Sequence, residues 1–230
     1  MIEVIVVGEG PTEESFVRDV LGPRLAHRQI FLHPRLIATS RRGRGGALSR
    51  QRVLQFLRNT LRERNDVYVT TFFDLYALDS EFLGRSEVGP VADPLERASM
   101  IEVRFADAVI REAGCRDDRF FPHIQPYEFE ALLFADIDRL IEIEAGWRSS
   151  AAALTAIRTG VISPEHINDG TDTHPAARLK KLLNPNFEKV LHGPAAAARI
   201  GIDRIGHECK HFAAWLKHIE TLTPLLNDGS

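Results

Sequence analysis

The stretch IEVIVVGEGPTEESF, residues 2–16, joins a short apolar run to a glycine-rich, acidic turn. The run IEVIVV (2–7) is rich in β-branched residues, which is typical of a strand buried on both faces of a sheet. A phosphate-binding loop would follow such a strand with a lysine, but this turn carries Glu9, Glu13 and Glu14. The charge of the turn therefore suits a cation better than a phosphate.

The strand signature recurs three more times, with helical patterns between the strands. The further predicted strands are FLHPRLIAT (31–39), where Pro34 suggests an edge strand, VYVTTFFDLY (67–76) and FFPHIQ (120–125). The first predicted helix follows a cap at Thr12. Three more are predicted over 48–64, over 94–113 and over EFEALLFADIDRLIEIE (128–144).

This alternation predicts an α/β fold with a parallel sheet of about four strands and helices on both faces. Beyond residue 145 only short helical patterns occur. We therefore predict an α/β core over residues 1–145, with a mostly helical C-terminal extension over 146–230 packed on it.

Composition narrows the class of protein without defining its activity. Of the 230 residues, 44% are hydrophobic and 27% charged, which is ordinary for a globular protein. The two cysteines form no disulfide framework, and no apolar run is long enough to cross a bilayer. We therefore expect a cytoplasmic protein that does not bind membranes.

Acidic residues follow the first, third and fourth predicted strands, namely Glu9, Asp74, and Glu128 with Glu130. The carboxyl ends of parallel strands meet at one edge of a sheet, so these side chains, with Glu13, are expected to converge. Carboxylates suit Mg²⁺ or Mn²⁺, and a pair of such ions supports phosphodiester cleavage. Glu13 and Glu128 also have a structural explanation, because they lie near helix starts, but this does not explain Glu9. Their shared location favours a metal site.

A basic segment follows the second predicted strand. It contains eight arginines against one acid, at positions 41, 42, 44, 50, 52, 58, 62 and 64. Arginine forks bind phosphates, and the RRGRGG glycines allow close backbone approach. Arg41, Arg42, Arg44 and Arg50, with Arg178 further on, are therefore candidates for nucleic-acid binding. The alternative is a surface loop and a solvated helix face.

Three residues near the C-terminus, His207, Cys209 and His211, alternate in a way that resembles metal ligands. Structural zinc sites bring their ligands in two separated pairs, and no second pair is visible in the sequence. We therefore expect packing or helix-start roles for these three residues.

The turn VVGEGPTEE resembles the glutamate motif of the topoisomerase–primase (Toprim) fold, and Asp74 matches its first aspartate. Longer blocks resemble domain-of-unknown-function family 4276, a Toprim-like family related to nucleases of the overcoming-lysogeny-defect type. These blocks are GEGPTEESFV (8–17), TTFFDLYALD (70–79), HIQPYEFEALLFAD (123–136), PEHINDGTDTHPAARL (164–179) and CKHFAAWL (209–216).

The resemblance implies a Mg²⁺- or Mn²⁺-dependent nuclease acting on DNA or RNA. It further implies antiphage defence with a separately encoded ATPase of the AAA or ABC type. By resemblance, the catalytic metal ligands are Glu9, Asp74 and Glu130, with Glu13 and Glu128 as supporting acids.

One departure from the Toprim pattern concerns the second aspartate of its D-x-D motif. This chain has Asp74-Leu75-Tyr76, and Asp79 is the next carboxylate along. The site could therefore hold one ion rather than two. The alternative function is a degraded Toprim-like module that binds a partner protein or nucleic acid. A homodimer is also left open.

Overall fold

A parallel sheet forms the centre of the computed structural model, which describes residues 1–37, 49–79, 82, 93–167, 170 and 172–225. The strands are β1 (Ile2–Gly8), β2 (Ile30–Leu36), β3 (Tyr68–Asp74), β4 (Phe120–Phe121) and β5 (Ile124–Gln125). Their order in the sheet is β2–β1–β3–β4, and β5 also pairs with β3. All four pairings are parallel, which confirms the predicted α/β class.

Strand β1 is apolar throughout because both faces of the sheet are covered. Val4 and Val6 point into one hydrophobic cluster, whereas Ile5 and Val7 point into the other. Pro34 lies in β2 at the edge of the sheet, as its missing N–H predicts.

Helices lie against both clusters. The helices are α1 (Pro11–Ser15), α2 (Gly22–Ala26), α3 (Arg50–Glu63), α4 (Pro94–Ala113), α5 (Ile137–Leu140), α6 (Ala151–Thr159), α7 (Pro175–Leu182), α8 (Lys189–Ile200), α9 (Ile202–Glu208) and α10 (Lys210–Glu220). The cluster that contains Ile5 and Val7 also includes apolar residues of α3 and α4. The cluster that contains Val4 and Val6 includes residues of α5, α7, α8, α9 and α10.

The first helical region differs from its prediction at both ends. The N-cap of α1 is Gly10, so Thr12 lies inside the helix and is not its cap. A π-helical stretch, Phe16–Leu21, then precedes α2, and the N–H of Gly22 bonds to the carbonyl of Val17. Pro23 has no N–H to donate, which disfavours a regular α-helical pattern at this point.

Two predicted elements after α4 are broken into shorter pieces. The fourth strand is interrupted between β4 and β5, where Pro122 has no N–H for the sheet. The predicted helix over 128–144 is instead a 3₁₀ segment, Phe129–Ala135, followed by α5. Asp136 has extended backbone and accepts the N–H of Arg139, so it ends the first piece and caps the second.

The C-terminal helices complete the hydrophobic core on one face of the sheet. Trp215 on α10 donates its indole N–H to the Thr70 hydroxyl on β3, at 2.9 Å. Buried Glu165 accepts the N–H groups of His211 and Phe212 at 3.0 Å each and so fixes the start of α10. Within the described ranges, no helix is both long and apolar enough to span a bilayer.

Candidate metal centre

The predicted acidic residues converge at the carboxyl end of the sheet. We call Glu9, Glu13, Asp74, Glu128 and Glu130 the acid cluster. Oxygens of Asp74, Glu128 and Glu130 lie within 4.8 Å of one another. A hydrogen bond joins Glu9 to the backbone of Asp74, and the charge of Glu13 acts on Glu9 and Asp74. The topology of the parallel strands thus brings together residues separated by more than a hundred positions.

Backbone hydrogen bonds hold the two strand-end acids in place. The N–H of Asp74 donates to Glu9 Oε1 at 2.8 Å, linking the end of β3 to the turn after β1. The Asp74 carboxylate in turn accepts the N–H of Phe129 at 2.8 Å, at the start of the 3₁₀ segment. Each of these acids is therefore oriented by a neighbouring strand or segment.

Glu128 is held by α7 from the C-terminal half of the chain. Its Oε1 accepts from His174 Nδ1 at 2.9 Å and from the backbone N–H of Ala176. The ring of His174 also stacks on Tyr76, with centroids 5.5 Å apart, and Tyr76 is 48% exposed. An aromatic pair therefore lies at the rim of the acid cluster.

Lys189, the first residue of α8, supplies positive charge inside the cluster. Its Nζ lies 3.2 Å from Glu128 Oε2 and 3.0 Å from Glu130 Oε2. Burial would lower the pKa of Lys189, but the carboxylates of Glu130, Glu128 and Asp74 outweigh it and raise the pKa. The ammonium group therefore stays charged and occupies a position suited to a cation.

The single ammonium group of Lys189 does not balance the negative charge that the acid cluster would carry if all its carboxyl groups were ionised. Burial raises the pKa of Glu9 to about 8, and the nearby Glu13 carboxylate adds to the rise. Burial likewise raises the pKa of Glu13 to about 7 and that of Asp74 well above its usual range. The pKa of Glu130 is also raised, chiefly by burial. Glu9 and Glu13 therefore hold protons near neutral pH that a divalent cation would displace.

The glycines of the turn allow close packing against Glu13. A Cβ added at Gly8 would lie 3.2 Å from Glu13 Cβ, and one at Gly10 would lie 3.2 Å from Glu13 Oε2. Gly10 has ordinary extended backbone, with φ of −152°. Space for the Glu13 side chain, rather than unusual backbone freedom, explains these two glycines.

Two of the five predicted nucleic-acid-binding arginines, Arg50 and Arg178, fall within the described residues. Arg50 is exposed at the start of α3 and lines an open cavity with Arg58, Asp79 and Glu112. Asp79 thus lines that cavity and is not one of the residues grouped with Asp74. Arg178 on α7 donates to the carbonyl of Thr173, next to His174. Arg41, Arg42 and Arg44 lie outside the described residues.

Sequence reasoning missed Lys189 and did not pair His174 with Glu128. Lys189 is 59 residues from Glu130 in sequence. One signal was present, because a lysine in the first turn of a helix opposes the helix dipole. Such a residue requires acidic partners, and here the acid cluster provides them.

The sequence profile of the family described as Domain of unknown function (DUF4276) matches residues 8–220. This match covers all five sequence blocks quoted above and the whole acid cluster. No curated protein and no solved structure matches the chain. The chain therefore belongs to the DUF4276 family.

Proposed function

We propose that this chain is a metal-dependent nuclease that hydrolyses phosphodiester bonds of DNA or RNA. The main support is the convergence of Asp74, Glu128 and Glu130, whose oxygens lie within 4.8 Å of one another. Glu9 and Glu13 adjoin these three and complete the proposed ligand set for Mg²⁺ or Mn²⁺.

The chemistry of the donor set fits a hard divalent cation. All the donors are carboxylate oxygens, and burial leaves several of them protonated near neutral pH. Lys189 already places an ammonium group between Glu128 and Glu130, which indicates where positive charge is stabilised. When bound, Mg²⁺ or Mn²⁺ would act as a Lewis acid that activates water and stabilises the leaving oxygen.

The chain's own residues would orient the substrate around the acid cluster. The Lys189 side chain is 36% exposed, so its ammonium can turn from the carboxylates towards a phosphate. The exposed ring of Tyr76, supported by His174, suits stacking against a nucleobase. The Asp74 N–H keeps the Glu9 carboxylate directed towards the strand ends.

Cleavage assays with purified protein test this proposal. Single- and double-stranded DNA and RNA would be incubated with Mg²⁺ or Mn²⁺, using Glu9→Gln, Asp74→Asn and Glu130→Gln as variants. Each substitution should reduce cleavage at least about 100-fold, because each removes a negatively charged metal ligand. Glu14→Gln is the matched control, since Glu14 shares α1 but lies outside the cluster. Full activity in both Glu9→Gln and Asp74→Asn would refute the site assignment.

A binding module without catalysis is the second candidate. Two observations favour it: Tyr76 stands where the D-x-D motif has its second aspartate, and Lys189 already pairs with two of the acids. This candidate predicts no Mn²⁺ binding in calorimetry. It also predicts that Glu9→Gln leaves nucleic-acid or partner binding unchanged, whereas the nuclease proposal predicts Mn²⁺ binding that Glu9→Gln weakens.

The resemblance to Toprim-type effectors supports a cytoplasmic role in antiphage defence with a separately encoded ATPase of the AAA or ABC type. Phage plaque assays in cells that express the chain with and without a candidate ATPase from the same genome would test this role. Protection that requires both proteins and is lost in Asp74→Asn is expected. Protection that persists in Asp74→Asn would separate the defence role from the proposed nuclease activity.

A further inference from the structure

A second group of potential metal ligands lies outside the acid cluster. Glu102 on α4, His123 between β4 and β5, and His211 on α10 converge, with one ligand atom of each within 4.8 Å of the others. We call these three residues the histidine cluster. Its donors are two imidazole nitrogens and one carboxylate oxygen, a set found around zinc.

The spacing of the donor atoms is close to that of a tetrahedral zinc site. Glu102 Oε1 lies 2.8 Å from His211 Nε2 and 3.7 Å from His123 Nδ1. Bonds of about 2.0–2.1 Å at tetrahedral angles place neighbouring ligand atoms about 3.3 Å apart. The two observed distances lie on either side of that value, so shifts of about half an ångström would accommodate the ion. The 2.8 Å contact is a hydrogen bond in the metal-free chain, and the ion would displace the hydrogen of His211 Nε2 to solvent.

The hydrogen bonding of His123 directs a lone pair at Glu102. His123 Nε2 lies 3.2 Å from Gln125 Oε1, an oxygen that only accepts, so this nitrogen carries the hydrogen. In the neutral ring, Nδ1 then has a lone pair, and it faces the Glu102 carboxylate at a distance too long for a hydrogen bond. Two electron-pair donors that face each other in the protein interior are stabilised by a cation between them.

The surrounding structure fixes the ligands before any ion binds. The N–H of His123 donates to the Thr71 hydroxyl at 3.0 Å, and the His123 ring stacks on Trp215 with centroids 4.8 Å apart. Glu165 accepts the N–H of His211 and so positions the first turn of α10. Gln125 thus holds the ring of His123 through its second nitrogen, as residues around metal-binding histidines do, whereas Glu165 positions the His211 backbone.

We propose that the histidine cluster binds a transition-metal ion of the zinc type. Nitrogen donors favour zinc over Mg²⁺, so this site would differ in selectivity from the carboxylate-only acid cluster. Three protein ligands leave one coordination position for solvent. Because the ligands come from α4, the sheet edge and α10, the bound ion would tie the C-terminal helix to the α/β core.

Metal titration of the full chain tests the proposal. Purified protein, stripped with a chelator, would be titrated with Co²⁺, whose visible absorption reports tetrahedral coordination, and then with Zn²⁺ in competition. One equivalent should bind with a tetrahedral spectrum, and Zn²⁺ should raise the unfolding temperature. His211→Gln should weaken binding at least about 100-fold, because a coordinating nitrogen is lost.

Matched variants separate this site from other sources of binding. Glu102→Gln keeps an oxygen that can accept the Ile124 N–H, so it should preserve the fold by circular dichroism while weakening Co²⁺ binding. His207→Gln, at an exposed histidine, and Glu130→Gln, in the acid cluster, should both retain the tetrahedral spectrum. Equal Co²⁺ binding by wild type and His211→Gln, or no tetrahedral spectrum in wild type, would overturn the proposal.

Discussion

Lowering the pH from 8 to 6 should weaken Mn²⁺ binding at the acid cluster about 500-fold. Protons compete with the ion for Glu9 and Glu13, whose pKa values are raised to about 8 and about 7. Over this range the ionised fraction of Glu9 falls about 50-fold and that of Glu13 about 10-fold. Their product gives this change for Glu9 and Glu13 alone, and Asp74, whose pKa is also raised, would add to it. The sign follows because only the ionised carboxylates bind metal.

Calorimetric titration with Mn²⁺ at pH 6, 7 and 8 would measure this dependence. Repeating each titration in two buffers with different ionisation enthalpies counts the protons that are released. At pH 7 we expect between about one and two protons per bound ion, mostly from Glu9. Glu9→Gln should reduce the pH effect to about 10-fold, whereas Glu14→Gln should match wild type. Affinity that does not change with pH, or binding without proton release, would refute the assignment of Glu9 and Glu13 as ligands.

Three further predictions concern the stability of the protein. Lys189→Met should lower the unfolding free energy of the metal-free protein by about 2 kcal/mol in urea titrations, because two buried carboxylates lose their ammonium partner. The same substitution should tighten Mn²⁺ binding, because the ammonium no longer competes with the ion for these carboxylates. Weaker Mn²⁺ binding would contradict this prediction. Without metal, unfolding free energy should fall on the order of 4 kcal/mol from pH 5 to pH 7. Between these two pH values Glu9 and Glu13 are largely protonated when folded but ionise near pH 4.5 when unfolded, so their contribution to stability is lost as the pH rises. Mn²⁺ should largely remove this decline. A flat profile without metal would argue against the raised pKa values. Trp215→Phe should cost about 1–2 kcal/mol in urea titrations through loss of the hydrogen bond to Thr70. The Thr70 hydroxyl also donates to the Phe121 carbonyl, so Thr70→Val has its own cost, and a double-mutant cycle isolates the Trp215–Thr70 bond. A coupling energy near zero would contradict this prediction.

Local sequence patterns predicted the sheet because each pattern depends on nearby residues. The apolar run of β1 and the β-branched run of β3 follow directly from burial on two faces. The meeting of Glu9 with Asp74 follows from parallel strand ends, which requires only the order of the elements. These features need no knowledge of distant side-chain contacts.

The features that the sequence did not reveal depend on contacts between distant segments. The run after Glu128 has a strong helical propensity, but the 3₁₀ segment Phe129–Ala135 is buried at every residue, so tertiary packing overrides that propensity. Lys189 reaches Glu130 from a segment 59 residues away. His211 lies in the first turn of α10, as expected, but its pairing with Glu102, 109 residues earlier, was not predicted. No local spacing encodes such pairs.

The origin of the counter-charge for the acid cluster has a consequence for protein synthesis. A ribosome makes all five acids before it makes Lys189, His174 or Ala176, which together supply the donors to Glu128 and Glu130. A nascent chain of 145 residues would therefore contain the carboxylates without these partners. Closure of the site must wait until α8 has emerged, so the chain gains its charge balance only late in translation.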